Sequence, residues 1–298
     1  MAETLEPDPS AIGGVPKAPF VFLPDPVAVF QSRARRFGFL ARSSRLGPYL
    51  AFLGDLSALQ ARLAVTLPSP APLPPGRGGG MPVIDRALLL DDPALHDTLA
   101  ALCEGAAGLD MPEPARLALE AVSQVGAEDR RWLLGNILAD TIPEDGAAAH
   151  LFAAAAVQVH LARLAARLAP EALAPVGTGT CPACGGLPVS STVMATPGIE
   201  NVRYAACSGC ATQWNEVRVK CLCCGSTKGI GYHSAETHEA SVKAETCAEC
   251  GSWLKIFHRT KNHSLDPVAD DVGSLGLDLM MRDTGLRRGG FHPFLAGY

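Results

Sequence analysis

Four Cys-x-x-Cys pairs, set in two equally spaced pairs of pairs, constrain this chain more than any other feature. Cys181 and Cys184 recur 40 positions later as Cys221 and Cys224, and Cys207 and Cys210 recur at the same offset as Cys247 and Cys250. Gly185 matches Gly225 and Val202 matches Val242 at that offset, so the segment reads as a duplicated 40-residue unit. Two thiolates separated by two residues reach one tetrahedral ion when the backbone between them turns tightly and aims its N–H groups at the sulfurs. A glycine after the second cysteine supplies the positive φ that such a turn needs. Cys184-Gly185, Cys224-Gly225 and Cys250-Gly251 satisfy this, whereas Cys210 precedes Ala211.

We assign the ligands within each unit: Cys181, Cys184, Cys207 and Cys210 around one ion, and Cys221, Cys224, Cys247 and Cys250 around the other. Interleaved pairing conserves the same counts. A redox-dithiol reading fits less well, because thioredoxin-type motifs occur singly on a βαβ scaffold and that pattern is missing here. Cys223 is an extra thiol in Cys221-Leu222-Cys223-Cys224, and the offset and Gly225 select its neighbours as ligands. Cys103 falls on a helical pattern and reads as a small core residue. All-thiolate tetrahedral sites suit zinc or a single iron, and ligand type does not separate them. Such sites supply much of the folding energy of small ribbons.

The chain before Cys181 is helical in pattern. Phe30, Ala34, Phe37, Leu40 and Ala41 repeat at helical spacing, as do Tyr49, Leu50, Leu53, Leu56, Leu59 and Leu63. The Pro/Gly-rich stretch Pro68 to Gly80 predicts a mobile loop, after which helical periodicity resumes over Asp85–Cys103, Glu113–Val125, Asp129–Asp140 and Gly146–Leu168. In the Cys-rich part, Val217 and Val219 alternate with Arg218 and Lys220, and Leu254 and Ile256 flank Lys255, both as short strand signals. Asp266 then fits a helix N-cap with Pro267 at the first position, and Val268, Val272, Leu275 and Leu279 predict one apolar stripe ending at Gly285. The expected fold is α+β: a helical domain over 1–175 with its loop at 66–82, ribbons over 176–220 and 221–262, and a C-terminal helix and tail over 263–298.

Charge and composition narrow the function. The formal net charge is −5, and eight metal-bound thiolates with two divalent ions would bring it to −9. Residues 181–298 hold 11 Lys+Arg against 11 Asp+Glu, a poor footprint for phosphate backbones, so a nucleic-acid-binding zinc ribbon is the weaker alternative. The most apolar stretch, Ala147 to Ala169, contains His150, Gln158, His160, Arg163 and Arg167, which suits a buried helix better than a membrane span. The start, Met1 to Glu6, is acidic and lacks an apolar run, so no secretory leader is expected. Ser32-Arg33-Ala34-Arg35-Arg36-Phe37 faintly resembles a twin-arginine export signal, but it sits inside a helical pattern. A cytoplasmic location follows, where such pairs stay reduced. No Ser/His/Asp set or phosphate-binding glycine loop is visible, and the eight histidines lack metal-site spacing, so no enzymatic activity is expected.

Several segments resemble the FdhE family: Cys181-Pro182-Ala183-Cys184-Gly185, Arg203-Tyr204 ahead of Cys207, and Val217 to Cys221 leading into Cys224-Gly225-Ser226. Asp266-Pro267-Val268-Ala269-Asp270-Asp271 and Phe291-His292-Pro293-Phe294-Leu295 continue the likeness, and Phe30–Ala41 and Pro48–Gln60 are similar to that family's helical start. The resemblance implies a non-catalytic accessory protein that acts on the catalytic subunit of formate dehydrogenase. It also implies rubredoxin-like iron at the eight cysteines already named, with zinc as the alternative, and leaves a rubredoxin-type electron carrier as a further reading. Asp270, Asp271 and Phe294 are candidates for contacting that partner. The acidic run also fits a helix N-terminus, where carboxylates complement the dipole, and the apolar tail also fits a segment folded back on the core.

Overall fold

The computed structural model describes residues 17–71, 80–143, 146–235 and 240–295. Residues 72–79 of the Pro/Gly-rich stretch and the acidic start Met1 to Glu6 lie outside the described residues.

A two-residue strand β1 (Val21–Phe22) precedes helix α1 (Pro26–Ala41). Asp25 caps α1 by accepting from the Ala28 N–H at 3.0 Å, with Pro26 pre-set for the first turn. α1 packs as a hairpin on α2 (Gly47–Thr66), where Gly54 lets the helices close: a Cβ there would lie 3.4 Å from the Ala34 carbonyl. The periodic segment Asp85–Cys103 divides into α3 (Arg86–Leu89) and α4 (Pro93–Ala106). Asp92 restarts the helix by accepting from the Ala94 N–H, with Pro93 directly behind it. α5 (Glu113–Gln124) and α6 (Ala127–Leu138) follow, and α7 (Ala147–Ala165) runs through the middle. α7 is long and apolar enough to cross a membrane by composition, yet nearly every residue from His150 to Ala165 is buried by protein.

The remaining strands are β2 (Pro188–Thr196), β3 (Ile199–Cys207), β4 (Gln213–Glu216), β5 (Ile230–His233), β6 (Val242–Cys247) and β7 (Ser252–His258). Helices α8 (Ala269–Gly273) and α9 (Leu275–Arg282) and strand β8 (Arg287–Arg288) complete the chain. The duplication is visible as two antiparallel meanders, β2-β3-β4 and β5-β6-β7. They are not free-standing ribbons. β2 pairs in parallel with β7 (Ser191 opposite Ile256), giving one sheet of order β1-β4-β3-β2-β7-β6-β5, with β8 added on β7. β1 joins β4 as the outer strand, so a segment from the helical half completes the sheet's edge. One apolar core runs from Phe30 and Phe37 through α7 to Cys181, Cys207 and Trp214.

Two sequence expectations change, the strand over 217–220 and the single C-terminal helix. Residues 217–220 form no strand; Val217 and Val219 are exposed, because the chain leaves the sheet toward Cys221 and the Lys220 carbonyl accepts from Arg203 Nη1 at 2.8 Å. Lys255 does not face solvent. α8 and α9 cover that face of β7, and its ammonium lies wholly buried between Asp271 (2.8 Å) and Asp278. The expected single C-terminal helix is two. Lys255 Nζ donates to the Asp271 carbonyl at 2.7 Å, a group that a continuous helix would use internally, and to the Ser274 carbonyl at 3.3 Å, which also accepts from the Leu277 N–H at 2.9 Å. The break shifts the helical phase, so α9 buries Leu277 and Met281 and leaves Leu279 exposed.

Asp266 does cap the segment, accepting from the N–H groups of Val268 and Ala269 at 2.9 and 2.8 Å. The docking candidates, in contrast, are turned inward. Asp270 makes a bidentate pair with Arg36 (2.6 to 3.1 Å), and Asp271, wholly buried, meets Lys255 and Arg288. Phe294 is buried, its carbonyl held by the Tyr49 hydroxyl at 2.8 Å. The acidic run therefore docks on α1 of its own chain. The Arg-rich string that resembles an export signal is the other half of that clamp: Arg36 holds Asp270, and Arg33 lies 3.7 Å from Asp266.

Candidate metal centres

The eight cysteines assemble as two fours grouped by unit, each with its sulfurs within 4.8 Å of one another. Cys181 and Cys210 are 3.6 Å apart and Cys184 and Cys207 3.5 Å; Cys221–Cys250 and Cys224–Cys247 are both 3.7 Å. A tetrahedral ion with metal–sulfur bonds of ~2.3 Å has sulfur–sulfur edges of about 3.8 Å. Both sets fit such an ion with little adjustment.

The knuckles arise locally. Gly185 N–H donates to the Cys181 carbonyl at 2.8 Å, Gly225 N–H to that of Cys221 at 3.0 Å, and Gly251 N–H to that of Cys247 at 3.0 Å. All three glycines have positive φ, between 66° and 81°. In the remaining knuckle Ala211 adopts the same left-handed conformation (φ 60°) despite its Cβ. Backbone N–H groups already point at sulfur, Cys210 N to Cys207 Sγ at 3.4 Å and Cys223 N to Cys221 Sγ at 3.3 Å. Cys223 itself stands outside the second set, its sulfur against Gly289, where a Cβ would come within 2.3 Å of it.

The two centres differ in their surroundings. All four sulfur-bearing residues of the first are buried, whereas in the second Cys224 is exposed and Cys250 half-exposed. The helical half seals the first centre through residues that carried no sequence signal. Arg86 of α3 lies 3.4 Å from Cys184 Sγ and pairs with Asp140 at 2.8 Å. Asp140 also accepts from the Leu187 N–H, and Gln158 of α7 donates to the Ser208 carbonyl inside the second knuckle, both at 2.8 Å. Ile84 N–H donates to the Ala183 carbonyl in the first knuckle at 2.8 Å. Gly186 and Gly209 make room for the guanidinium, since a Cβ on either would sit 2.0 or 2.8 Å from Arg86 Nη2.

The electrostatics follow. Burial works against the charge on Arg86, but Cys184, Asp140 and Cys207 hold it firmly protonated. Burial pushes the Cys181 and Cys207 thiols up, while hydrogen bonds from Cys181, Cys207 and Cys210, helped by Arg86, hold Cys184 well down. In the second centre desolvation opposes ionisation of Cys250, but hydrogen bonds from Ser252 and Cys224 bring it down to about 7. A divalent ion with four thiolates carries a net charge near −2, and the buried first centre has Arg86 beside it as partial compensation.

Comparison with known proteins covers nearly the whole chain. Residues 18–178 match the family profile described as FdhE, N-terminal; 180–218 match FdhE, central domain; and 219–295 match FdhE, C-terminal domain. A protein FdhE homolog of Rhizobium meliloti (strain 1021) is 52% identical over 301 residues, covering 99% of this chain and 98% of the relative. A homolog of Proteus mirabilis (strain HI4320) is 32% identical, covering 97% of this chain and 94% of its own length. The crystal structure of the FdhE protein from Pseudomonas aeruginosa superposes with a TM-score of 0.84 at 31% identity, covering 93% of this chain and 99% of that one.

Proposed function

The chain belongs to the FdhE family, and from that premise we propose that it is a non-catalytic accessory protein for the assembly of formate dehydrogenase, binding that enzyme's catalytic subunit in the cytoplasm. Cys181, Cys184, Cys207 and Cys210 hold one ion, and Cys221, Cys224, Cys247 and Cys250 the other. Iron of the rubredoxin type is the favoured metal, with zinc the alternative. The observation that carries the reading is the pair of four-sulfur clusters, pre-shaped for tetrahedral ions on a chain whose relatives share its full length.

Iron would supply a one-electron couple tuned by the N–H···S contacts, whereas zinc would only hold the fold. What the chain's own residues do is divide the labour. Arg86, Asp140 and Gln158 lock the first centre between helices and sheet, and Cys224 brings the second to the surface. That exposure also favours a second reading, in which the outer centre exchanges electrons with the client.

The test is metal analysis and visible absorbance of anaerobically prepared protein, combined with capture of a formate dehydrogenase catalytic subunit. Ferric–thiolate absorbance with two irons per chain and stable capture are expected. Colourless protein with two zinc ions would end the redox reading, and failure to capture the subunit would end the accessory one.

A further inference from the structure

Two segments cross from one metal centre to the other. The first is the lead-in to Cys181, which runs over the first knuckle of the second centre. Gly179 stands at φ 59°, and a Cβ on it would lie 2.0 Å from the Leu222 carbonyl oxygen. Thr178 covers the same turn, since a Cβ on Gly225 would meet its Oγ1 at 3.0 Å. Leu222 lies between the ligands Cys221 and Cys224, and Cys181, two residues after Gly179, is a ligand of the first set. Two residues of extended chain span about 7 Å at most. A short tether therefore joins a ligand of one ion to the turn that shapes the other.

Residues 287–291 make the second crossing. The Arg287 N–H donates to the Gly251 carbonyl at 2.9 Å, in the turn after Cys250, and the Phe291 N–H donates to the Pro188 carbonyl at 3.0 Å. Pro188 is paired with Cys207 across β2 and β3, so this segment ends beside a ligand of the first centre. Midway, the Gly289 N–H donates to the Trp253 carbonyl at 2.6 Å. An ion that fixes Cys181 and Cys207 thereby fixes Gly179 and Pro188, and with them the turns at Leu222 and Gly251. Part of the ordering that the second ion requires is then already complete when it arrives, which lowers the entropy it loses on binding. The linkage is reciprocal.

We propose that the two ions bind with positive cooperativity, carried chiefly by the contact of Gly179 with Leu222 and seconded by the 287–291 crossing. The inference rests on reading the eight cysteines as two metal centres. Its consequence is a device built into the fold. The second centre, which Cys224 exposes, holds its ion tightly when the sealed first centre is filled and loosely when it is empty. The outer centre thus reports the state of the inner one to whatever meets the surface.

The experiment uses the full chain loaded with zinc under reducing conditions and equilibrated with graded chelator. Alkylation of the freed thiols, mapped by mass spectrometry, reads each centre through its own cysteines. Parent, Cys207→Ser, Gly179→Ala and the double variant are compared. Cys207→Ser should weaken zinc at the second centre at least ~5-fold although all four of its ligands remain. Gly179→Ala, whose methyl must displace the Leu222 carbonyl, should weaken the second centre similarly while the first stays loaded. In that background Cys207→Ser should cost a further ~2-fold or less, because the main link is already broken. A second centre indifferent to Cys207→Ser overturns the proposal, and so does a full ~5-fold effect that survives Gly179→Ala, which would assign the coupling to the fold as a whole. Should circular dichroism show Cys207→Ser unfolded, Gly179→Ala decides alone: Cys224 as well protected as in the parent overturns the proposal. Metal analysis of the parent is read separately. Fewer than two zinc ions per chain sinks the two-centre reading, whereas two ions held independently sink this inference alone.

Discussion

Arg203 in β3 donates to Glu245 in β6 at 2.6 Å, crossing two intervening strands to tie the two meanders together on one face of the sheet. The same guanidinium donates to Ser191 Oγ and to the Lys220 carbonyl, one residue before the second centre begins. Glu245 accepts in turn from the Tyr232 hydroxyl at 3.1 Å. Replacing Arg203 with Met should strand a buried carboxylate and cost about 3–5 kcal/mol. Urea unfolding measures it, and the double variant with Glu245→Gln should recover part of the loss. A cost below ~1 kcal/mol would mean that the pair is not what joins the units.

Ala211 occupies the turn position that glycine fills in the other three knuckles, at φ 60°. The left-handed conformation costs a residue with a Cβ ~1–2 kcal/mol, and glycine gives back part of that gain through its freer unfolded chain. Ala211→Gly should therefore raise stability by roughly 0.5–1 kcal/mol, seen as a Tm increase of a few degrees with unchanged metal content. A lower Tm would show that the methyl's contacts outweigh its strain.

The sequence already carried what depends on local spacing. The two sets of four thiols, their grouping by unit, the helical face of Phe30 and Phe37 and the cap at Asp266 can all be read from neighbours a few residues apart. What it hid depends on partners far along the chain. Nothing near Lys255 announces that Asp271 and Asp278 will bury it. Nothing near Val21 says that it will pair with Trp214, or near Arg86 that it will meet Cys184. Spacing leaves the acidic run Asp266–Asp271 open between a helix N-terminus and a partner surface, because Arg33 and Arg36, which meet Asp266 and Asp270, lie more than two hundred positions earlier.

Unequal cover of the two centres predicts unequal metal release. Cys224 is exposed and Cys250 half-exposed, whereas every ligand residue of the first set is buried beneath Arg86 and α7. A chelator that strips metal through open sulfurs should take one equivalent quickly and the second only as the fold opens. Cys224→Ser should remove the fast phase, and Arg86→Gln should accelerate the slow one. A single phase releasing both ions would show that the sheet shared by the two units opens as one body.

His292 gives the fold an acid limit whose sign can be worked out. Its Nδ1 accepts from the Phe294 N–H at 3.1 Å, so the ring is neutral with its proton on Nε2, facing the Val268 carbonyl at 3.4 Å. Burial, against the pull of Asp271, sets it down to about 3, and burial with the nearby Arg218 charge sets His258 down to about 4. In the unfolded chain a histidine titrates near ~6.5. Above that pH both states are neutral and neither residue affects stability. Below it the unfolded chain takes up the proton first, so stability falls as pH drops from ~6.5 toward the folded values, by at most about 1.4 kcal/mol per pH unit for each group. His258 is only half-buried, so solvent screening reduces its share. Thiolate protonation adds its own acid dependence, but it is common to parent and variant and cancels in their difference. His292→Asn keeps an acceptor for the Phe294 N–H and cannot titrate, so its stability curve between pH 7 and pH 5 should be flatter than the parent's by up to that slope. Parallel curves would mean that His292 already carries its proton in the folded protein, shared with Asp271 at 3.9 Å.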